Sequence, residues 1–208
     1  MKTHNDLNTI TAGTEISKAK KVIIAIHGRG ATAESILTLA QYLEIKDAHW
    51  IAPQATNNTW YPYSFLEETK HNEPWFSSAL SVLDKITDKL RADGFKNDQI
   101  YFMGFSQGAC LATEYASRRA LKYGGVIAFS GGLIGHEIQE SRYKTGFEGT
   151  PVFIGCSDND FHIPESRLKE TADMMKKLGA NVELVIYPDM GHTIIEEEII
   201  KAKLILEG

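Results

Sequence analysis

Cysteine is scarce in this chain, and basic charge does not dominate it. Only Cys110 and Cys156 occur, and their spacing fits neither a disulfide framework nor a zinc site. They are expected as two reduced, buried thiols of a cytoplasmic protein. Lys and Arg number 22 against 27 Asp and Glu, a net charge of −5. That balance supplies no footprint for nucleic acid and no pull towards an anionic membrane. No apolar run approaches the length of a membrane span, so no stable membrane association is expected. The opening MKTHNDLNTITAG has no apolar core of the kind a signal peptide needs. Repeats, low-complexity tracts and linker-like composition breaks are absent as well, which argues against a multidomain array.

What is present is an ordinary globular composition, 43% hydrophobic and 24% charged over 208 residues, enough for one domain with a substantial core. Residues 1–208 are read as that domain, with residues 1–8, His4 included, as a polar tail. Short β-branched runs alternate with amphipathic segments. Val22 to Ile26 reads VIIAI, as a strand buried on both faces should. Ala33 to Leu43 is expected as one helix with Thr32 as its N-cap. Trp50 to Ala52 is a short strand stopped by Pro53. Pro74 to Ala92 carries Phe76, Leu80, Leu83, Ile86 and Leu90 on one stripe, the spacing of a helix packed on one side. Strands are further expected at 100–105, 125–129, 152–154 and 182–187, and helices at 107–118, 164–178 and 193–206. This alternation implies an α/β fold, a mostly parallel central sheet with helices on both faces.

In such a sheet, ligands bind at the carboxyl ends of the strands, so the residues left there carry the functional argument. The strand ending at Ile26 delivers His27-Gly28-Arg29-Gly30. The one ending at Phe105 delivers Ser106, between Gly104 and Gly108 in the run GFSQG. The one ending at Ile154 leads into a loop with Asp158 and Asp160, and the one ending at Tyr187 leads to His192. Serine, acid and histidine thus follow three different strands in the chain order of a serine hydrolase built on this kind of sheet. A serine hydroxyl needs a base to remove its proton, histidine titrates near neutrality, and a carboxylate fixes its tautomer and stabilises the imidazolium. Of the seven histidines, only His192 lies just past a strand end and after the acid loop. The helix starting near Gln107 aims unpaired N–H groups and partial positive charge at the same place. Asp158, Asp160 and His162 at alternate positions also fit a divalent-ion cluster on residue type alone; with no further ligand group evident, no metal is assigned.

The stretches HGRG (27–30), APQA (52–55), WYPYSF (60–65), GFSQG (104–108), DFHIP (160–164) and GHT (191–193) run through nearly the whole chain. Together they make it resemble the carboxylesterase/phospholipase family of α/β-hydrolases, which includes bacterial carboxylesterases and acyl-protein thioesterases. The resemblance implies Ser106 as nucleophile, Asp160 as orienting acid, His192 as base, and the backbone N–H groups of Arg29 and Gln107 as oxyanion hole. The acid is anchored two ways that disagree: counting forward from Gly155 leads to Asp158, counting back from Pro164 leads to Asp160. The proline anchor is preferred because Pro164 fixes the start of a helix. Two departures from the family pattern are Arg29, where relatives carry an apolar residue, and Ala31, where they carry an aspartate that supports the loop. The Arg29 side chain is read either as lying in solvent or as meeting an acidic group on the substrate. Trp60, Tyr61 and Phe65 are read as a substrate-binding wall or as a hydrophobic cluster beneath a long loop.

The expected activity is cofactor-free hydrolysis of small-molecule carboxylic esters with small to medium acyl chains. Thioester and lysophospholipid hydrolysis are the alternatives on the same machinery, and a catalytically silent binding protein is the alternative from another class. Dienelactone hydrolases share the fold-level likeness, but a cysteine would stand where Ser106 does. A homodimer is common in the family that the chain resembles.

Overall fold

The structure, a computed structural model, describes residues 3–4 and 8–208. Its centre is a seven-stranded sheet of β1 (Thr9–Gly13), β2 (Lys21–Ile26), β3 (Ala48–Pro53), β4 (Ile100–Phe105), β5 (Gly125–Phe129), β6 (Pro151–Ser157) and β7 (Asn181–Tyr187). The spatial order is β1-β3-β2-β4-β5-β6-β7. Every pairing is parallel except that of β1 with β3, where Thr9 lies opposite Pro53 and Gly13 opposite His49. The edge strand β1 had no counterpart in the sequence reading, because TITAG offers only a weak two-residue alternation with one half-buried isoleucine.

Alternation along the inner strands feeds two cores. From β2, Val22, Ile24 and Ile26 face one layer, and Ile23 and Ala25 the other. β4 divides likewise, with Ile100 and Phe102 against Tyr101 and Met103. The first layer is covered by α3 (Trp75–Ala92), α4 (Gln107–Arg118) and α5 (Glu165–Lys177). The second is covered by α1 (Ala33–Leu37), α2 (Leu39–Leu43) and α6 (Glu196–Glu207). All five residues of the α3 stripe read from the sequence are buried. Among the described residues, no helix is long and apolar enough to cross a membrane. Both cysteines are unpaired and buried.

Three expectations are corrected. The single helix over 33–43 is two, divided at Thr38, whose hydroxyl donates to the Ser35 carbonyl at 2.8 Å and so competes with the helical ladder. The last helix begins at Glu196 rather than 193, because the Glu198 carboxylate accepts the N–H of Ile195 and caps the chain there. His4 is buried rather than part of a polar tail. Its Nε2 meets the Trp60 carbonyl at 2.8 Å, and its ring packs against Trp60 and Trp75. The remainder of that expected tail falls mostly on residues 1, 2 and 5–7, outside the described residues.

Candidate active site

The β4–α4 connection is tight because two glycines make it so. A Cβ on Gly104 would lie 2.4 Å from the backbone of Gly108, and one on Gly108 would lie 2.0 Å from the Ile26 carbonyl oxygen. No side chain fits at either contact. Ser106, between them, is held at φ 55° and ψ −121°, a conformation that costs a non-glycine residue about 1–3 kcal/mol. The Ser106 N–H donates to the Phe129 carbonyl at 2.9 Å, and the next turn of α4 closes on it. The strain lifts the hydroxyl above the carboxyl edge of the sheet, where it remains partly exposed.

Three strand-end loops converge on that hydroxyl. His192 Nε2 lies 2.9 Å from Ser106 Oγ, and His192 Nδ1 lies 2.7 Å from Asp160 Oδ2. Asp160 also accepts the backbone N–H groups of His162 at 2.8 Å and Ile163 at 3.2 Å, and the Cys156 thiol at 3.5 Å. Burial by itself opposes ionisation of Asp160, but the bonds from His192 and the His162 N–H outweigh it and hold the carboxyl below its ordinary value. The two aspartates of this loop are thereby separated. Asp158 is exposed and turns to the N–H of Asp189 at 3.0 Å, so it secures the turn that leads to His192. Asp189, at φ 51°, is a turn residue bonded to Asn159. The Phe105 ring packs 4.9 Å from that of His192 on one side, and the His162 ring 5.0 Å away on another.

The backbone N–H groups of Arg29 and Gln107 donate to no backbone carbonyl among the described residues, and both residues line the cavity beside Ser106. The loop that holds Arg29 is supported without the missing aspartate at position 31. The Gly30 N–H donates to the Asn58 carbonyl at 2.7 Å, the Ala33 N–H to Gln54 Oε1 at 2.8 Å, and Thr32 and Ser35 cap α1 reciprocally. Buried His27 donates from Nδ1 to the Gly28 carbonyl and accepts the Ala55 N–H at Nε2, a role that requires the neutral ring; burial lowers its pKa accordingly. The Gln107 side chain, which sequence reasoning passed over, holds the aromatic loop by accepting the Trp60 N–H and donating to the Tyr61 carbonyl, each at 2.9 Å.

The cavity occupies about 460 Å³ and is lined by Tyr61, Phe65, Cys110 and His162 as well as Ser106 and His192. Tyr61 and Phe65 thus line the cavity, but Trp60 does not. Its ring is fully buried behind the 27–30 loop, with Nε1 donating to the His27 carbonyl at 2.9 Å. Arg29 is exposed but not loose, since its guanidinium donates to the carbonyls of Pro62 and Tyr63. Cys110 packs in the core as expected and also reaches the cavity wall. Two contributions left no signal in the sequence, the His162 ring against His192 and the Gln107 amide, because each depends on which loop it meets across the sheet edge. Among the described residues, no group of three or more His, Cys, Asp or Glu side chains converges as metal ligands do.

The arrangement is that of a hydroxyl hydrogen-bonded to an imidazole that is in turn held by a carboxylate, beside two unused backbone donors. The chain is similar to known proteins at several distances. A crystal structure of a phospholipase/carboxylesterase from Dyadobacter fermentans is 44% identical, with a TM-score of 0.96 over 99% of this chain and 98% of that one. Acyl-protein thioesterase 1 of Saccharomyces cerevisiae is 27% identical over 93% of this chain and 94% of its own length. A probable carboxylesterase of Arabidopsis thaliana is 25% identical over 88% of this chain and 76% of its own. The family model for phospholipases and carboxylesterases matches residues 8–207. With that span covered, the chain belongs to the phospholipase/carboxylesterase family of α/β-hydrolases, hydrolases of the carboxylesterase and thioesterase kind.

Proposed function

We propose that the protein is a serine hydrolase that cleaves carboxylic esters of small to medium acyl chain through an acyl-enzyme, with Ser106 as nucleophile, His192 as base and Asp160 as the acid that orients it. The observation that carries this reading is the unbroken relay from Ser106 Oγ through His192 to Asp160, with steps of 2.9 and 2.7 Å. His192 Nε2 takes the hydroxyl proton as Oγ bonds to the ester carbonyl carbon. The N–H groups of Arg29 and Gln107 receive the oxyanion, a contribution worth on the order of a hundredfold or more per donor in related chemistry. The carbonyl re-forms, the C–O bond to the alcohol breaks, and His192 returns its proton to the departing oxygen. Water then repeats the sequence and releases the acid. Nucleophile, base and oxyanion donors all come from the chain, so the reaction calls for no cofactor.

Tyr61 and Phe65, on the wall of a cavity of about 460 Å³, support the limit on acyl length. Two unpaired buried thiols suit a reducing cytoplasm. Thioester hydrolysis is a second reading, supported by the relatives named acyl-protein thioesterase; the relay would be the same, with sulfur as the leaving atom. A fluorophosphonate probe tests the nucleophile. Wild type should be labelled at Ser106, and Ser106→Ala should be neither labelled nor active; equal labelling of the two would sink the reading. Esters and thioesters of increasing acyl length then separate the two substrate classes, with the ester series expected to peak at short or medium chains.

A further inference from the structure

Arg29 differs from most of the other arginines in what it touches. Arg91, Arg118, Arg119 and Arg167 each pair with a carboxylate. Arg29 forms no ion pair among the described residues, and neither does Arg142, which does not line the catalytic cavity. The Arg29 guanidinium is nevertheless fixed. Nη1 donates to the Pro62 carbonyl at 2.7 Å and Nη2 to the Tyr63 carbonyl at 2.6 Å. Its central carbon lies 6.0 Å from the centre of the Tyr61 ring, the edge of cation–π range. Carbonyl oxygens orient a guanidinium without cancelling its charge. Its Nε–H and the second N–H on each terminal nitrogen take no other protein acceptor among the described residues.

The surroundings match. The charged and titratable lining of the cavity among the described residues comprises Arg29, His162 and His192 with Tyr61, Tyr63 and Cys110, and no Asp or Glu, in a chain with 27 acidic against 22 basic residues. Asp160 stands behind His192 with its side chain fully buried. Tyr61, in the same lining, has a buried hydroxyl with no nitrogen or oxygen hydrogen-bond partner among the described residues, and the Cys110 thiol lies beside it. A preset cation in a lining without a described carboxylate fits an anion.

We propose that the preferred substrates are esters that also carry a carboxylate, which the Arg29 guanidinium binds while the Arg29 N–H serves the ester carbonyl. The inference rests on the ester-hydrolase reading above. One positive charge suits a monoanionic carboxylate better than a phosphate dianion. The carboxylate belongs either to the acyl part or to the alcohol part, and two matched pairs separate these. Monomethyl adipate against methyl hexanoate carries the charge on the acyl side, and γ-acetoxybutyrate against butyl acetate carries it on the alcohol side.

Wild type should favour the charged member of at least one pair in kcat/KM, and that preference should fall as salt is added while the neutral twin is unaffected. Arg29→Gln should lower kcat/KM for the charged ester roughly tenfold or more relative to its twin, and Arg29→Lys should recover part of the difference. If the side chain is only a clamp on the 62–63 loop, Arg29→Gln will slow both members of each pair by the same factor, which would overturn the proposal. Preference of wild type for the neutral member in both pairs would overturn it too. The salt dependence of wild type decides the matter even if both variants misfold. Absence of turnover on all four esters and on an activated aryl acetate would instead remove the ester-hydrolase reading on which the inference stands.

Discussion

Two buried carboxyl groups flank β6, and their surroundings drive them in opposite directions. Asp160, in the loop past the strand's carboxyl end, receives His192, two backbone N–H groups and a thiol. It is held below the ordinary range. Glu198, on α6 against Gly155, is fully buried. It receives one N–H, from Ile195 at 3.1 Å, and its Oε1 has no partner among the described residues. Burial lifts it to about 7, with the Ile195 bond only partly opposing. Desolvation acts on both, so the number of donors decides the sign. The acid supplied with donors stays charged and can hold an imidazolium. The one left with a single donor takes up a proton near neutral pH and serves packing and capping.

The sharpest way to break this comparison is to exchange the acid that faces the histidine. Asp160→Asn keeps the shape but presents an amide where His192 Nδ1–H needs an acceptor, and kcat should fall on the order of 10³–10⁴-fold. Asp158→Asn keeps an oxygen for the Asp189 N–H and should cost less than about threefold. Steady-state kinetics on one activated ester measures both. The reverse ranking would transfer the role to Asp158 and dissolve the contrast with Glu198.

A second, smaller effect concerns stability. The folded pKa of Glu198 lies above its unfolded value of 4.5. The folded state therefore binds more protons between the two values, and stability falls as pH rises. The contribution is fully present below pH 4.5 and is lost as pH passes about 7, a loss of about 3 kcal/mol. Asp160 has the opposite sign: its contribution is present above its unfolded pKa and fades as acid protonates the folded state. Urea unfolding of wild type at pH 5 and pH 8 should show the loss, and Glu198→Gln, which can still cap Ile195, should flatten it. Parallel pH profiles for the two proteins would mean that Glu198 is ionised in the folded state.

The same contrast marks how far the residues could be read in one dimension. The strand–helix order, the elbow at Ser106 and the relay residues were legible, because backbone strain and burial impose them on local sequence: glycines where α4 touches β2, β-branched runs where both faces are covered. The capping role of Glu198 and the carbonyl clamp on Arg29 were not, since nothing near them in sequence names their partners. Trp60 stayed open between the wall and the buried cluster, because aromatic density alone does not say which ring faces the cavity and which backs the loop. His4 was missed for the related reason that a polar neighbourhood hid a residue buried by distant tryptophans.

The smallest expected effect tests whether donors to Asp160 are graded in their influence. Burial raises the Cys156 thiol to about 12, so it remains a neutral S–H donor 3.5 Å from Asp160 Oδ2 across the working pH range. A thiol is a weak donor, and a neutral hydrogen bond contributes about 1 kcal/mol net. Cys156→Ala should therefore lower kcat/KM only about two- to fivefold. With one donor fewer, the carboxylate becomes slightly more basic and holds the His192 imidazolium more tightly. The acid limb of the kcat/KM profile should then move to higher pH by about a few tenths of a unit. Cys156→Ser supplies a hydroxyl donor and should return the limb to its wild-type position or below. A packing role alone would lower thermal stability in both variants and leave the limb where it is, so the shift in Cys156→Ala and its reversal in Cys156→Ser together decide whether the thiol belongs to the donor set that keeps Asp160 charged.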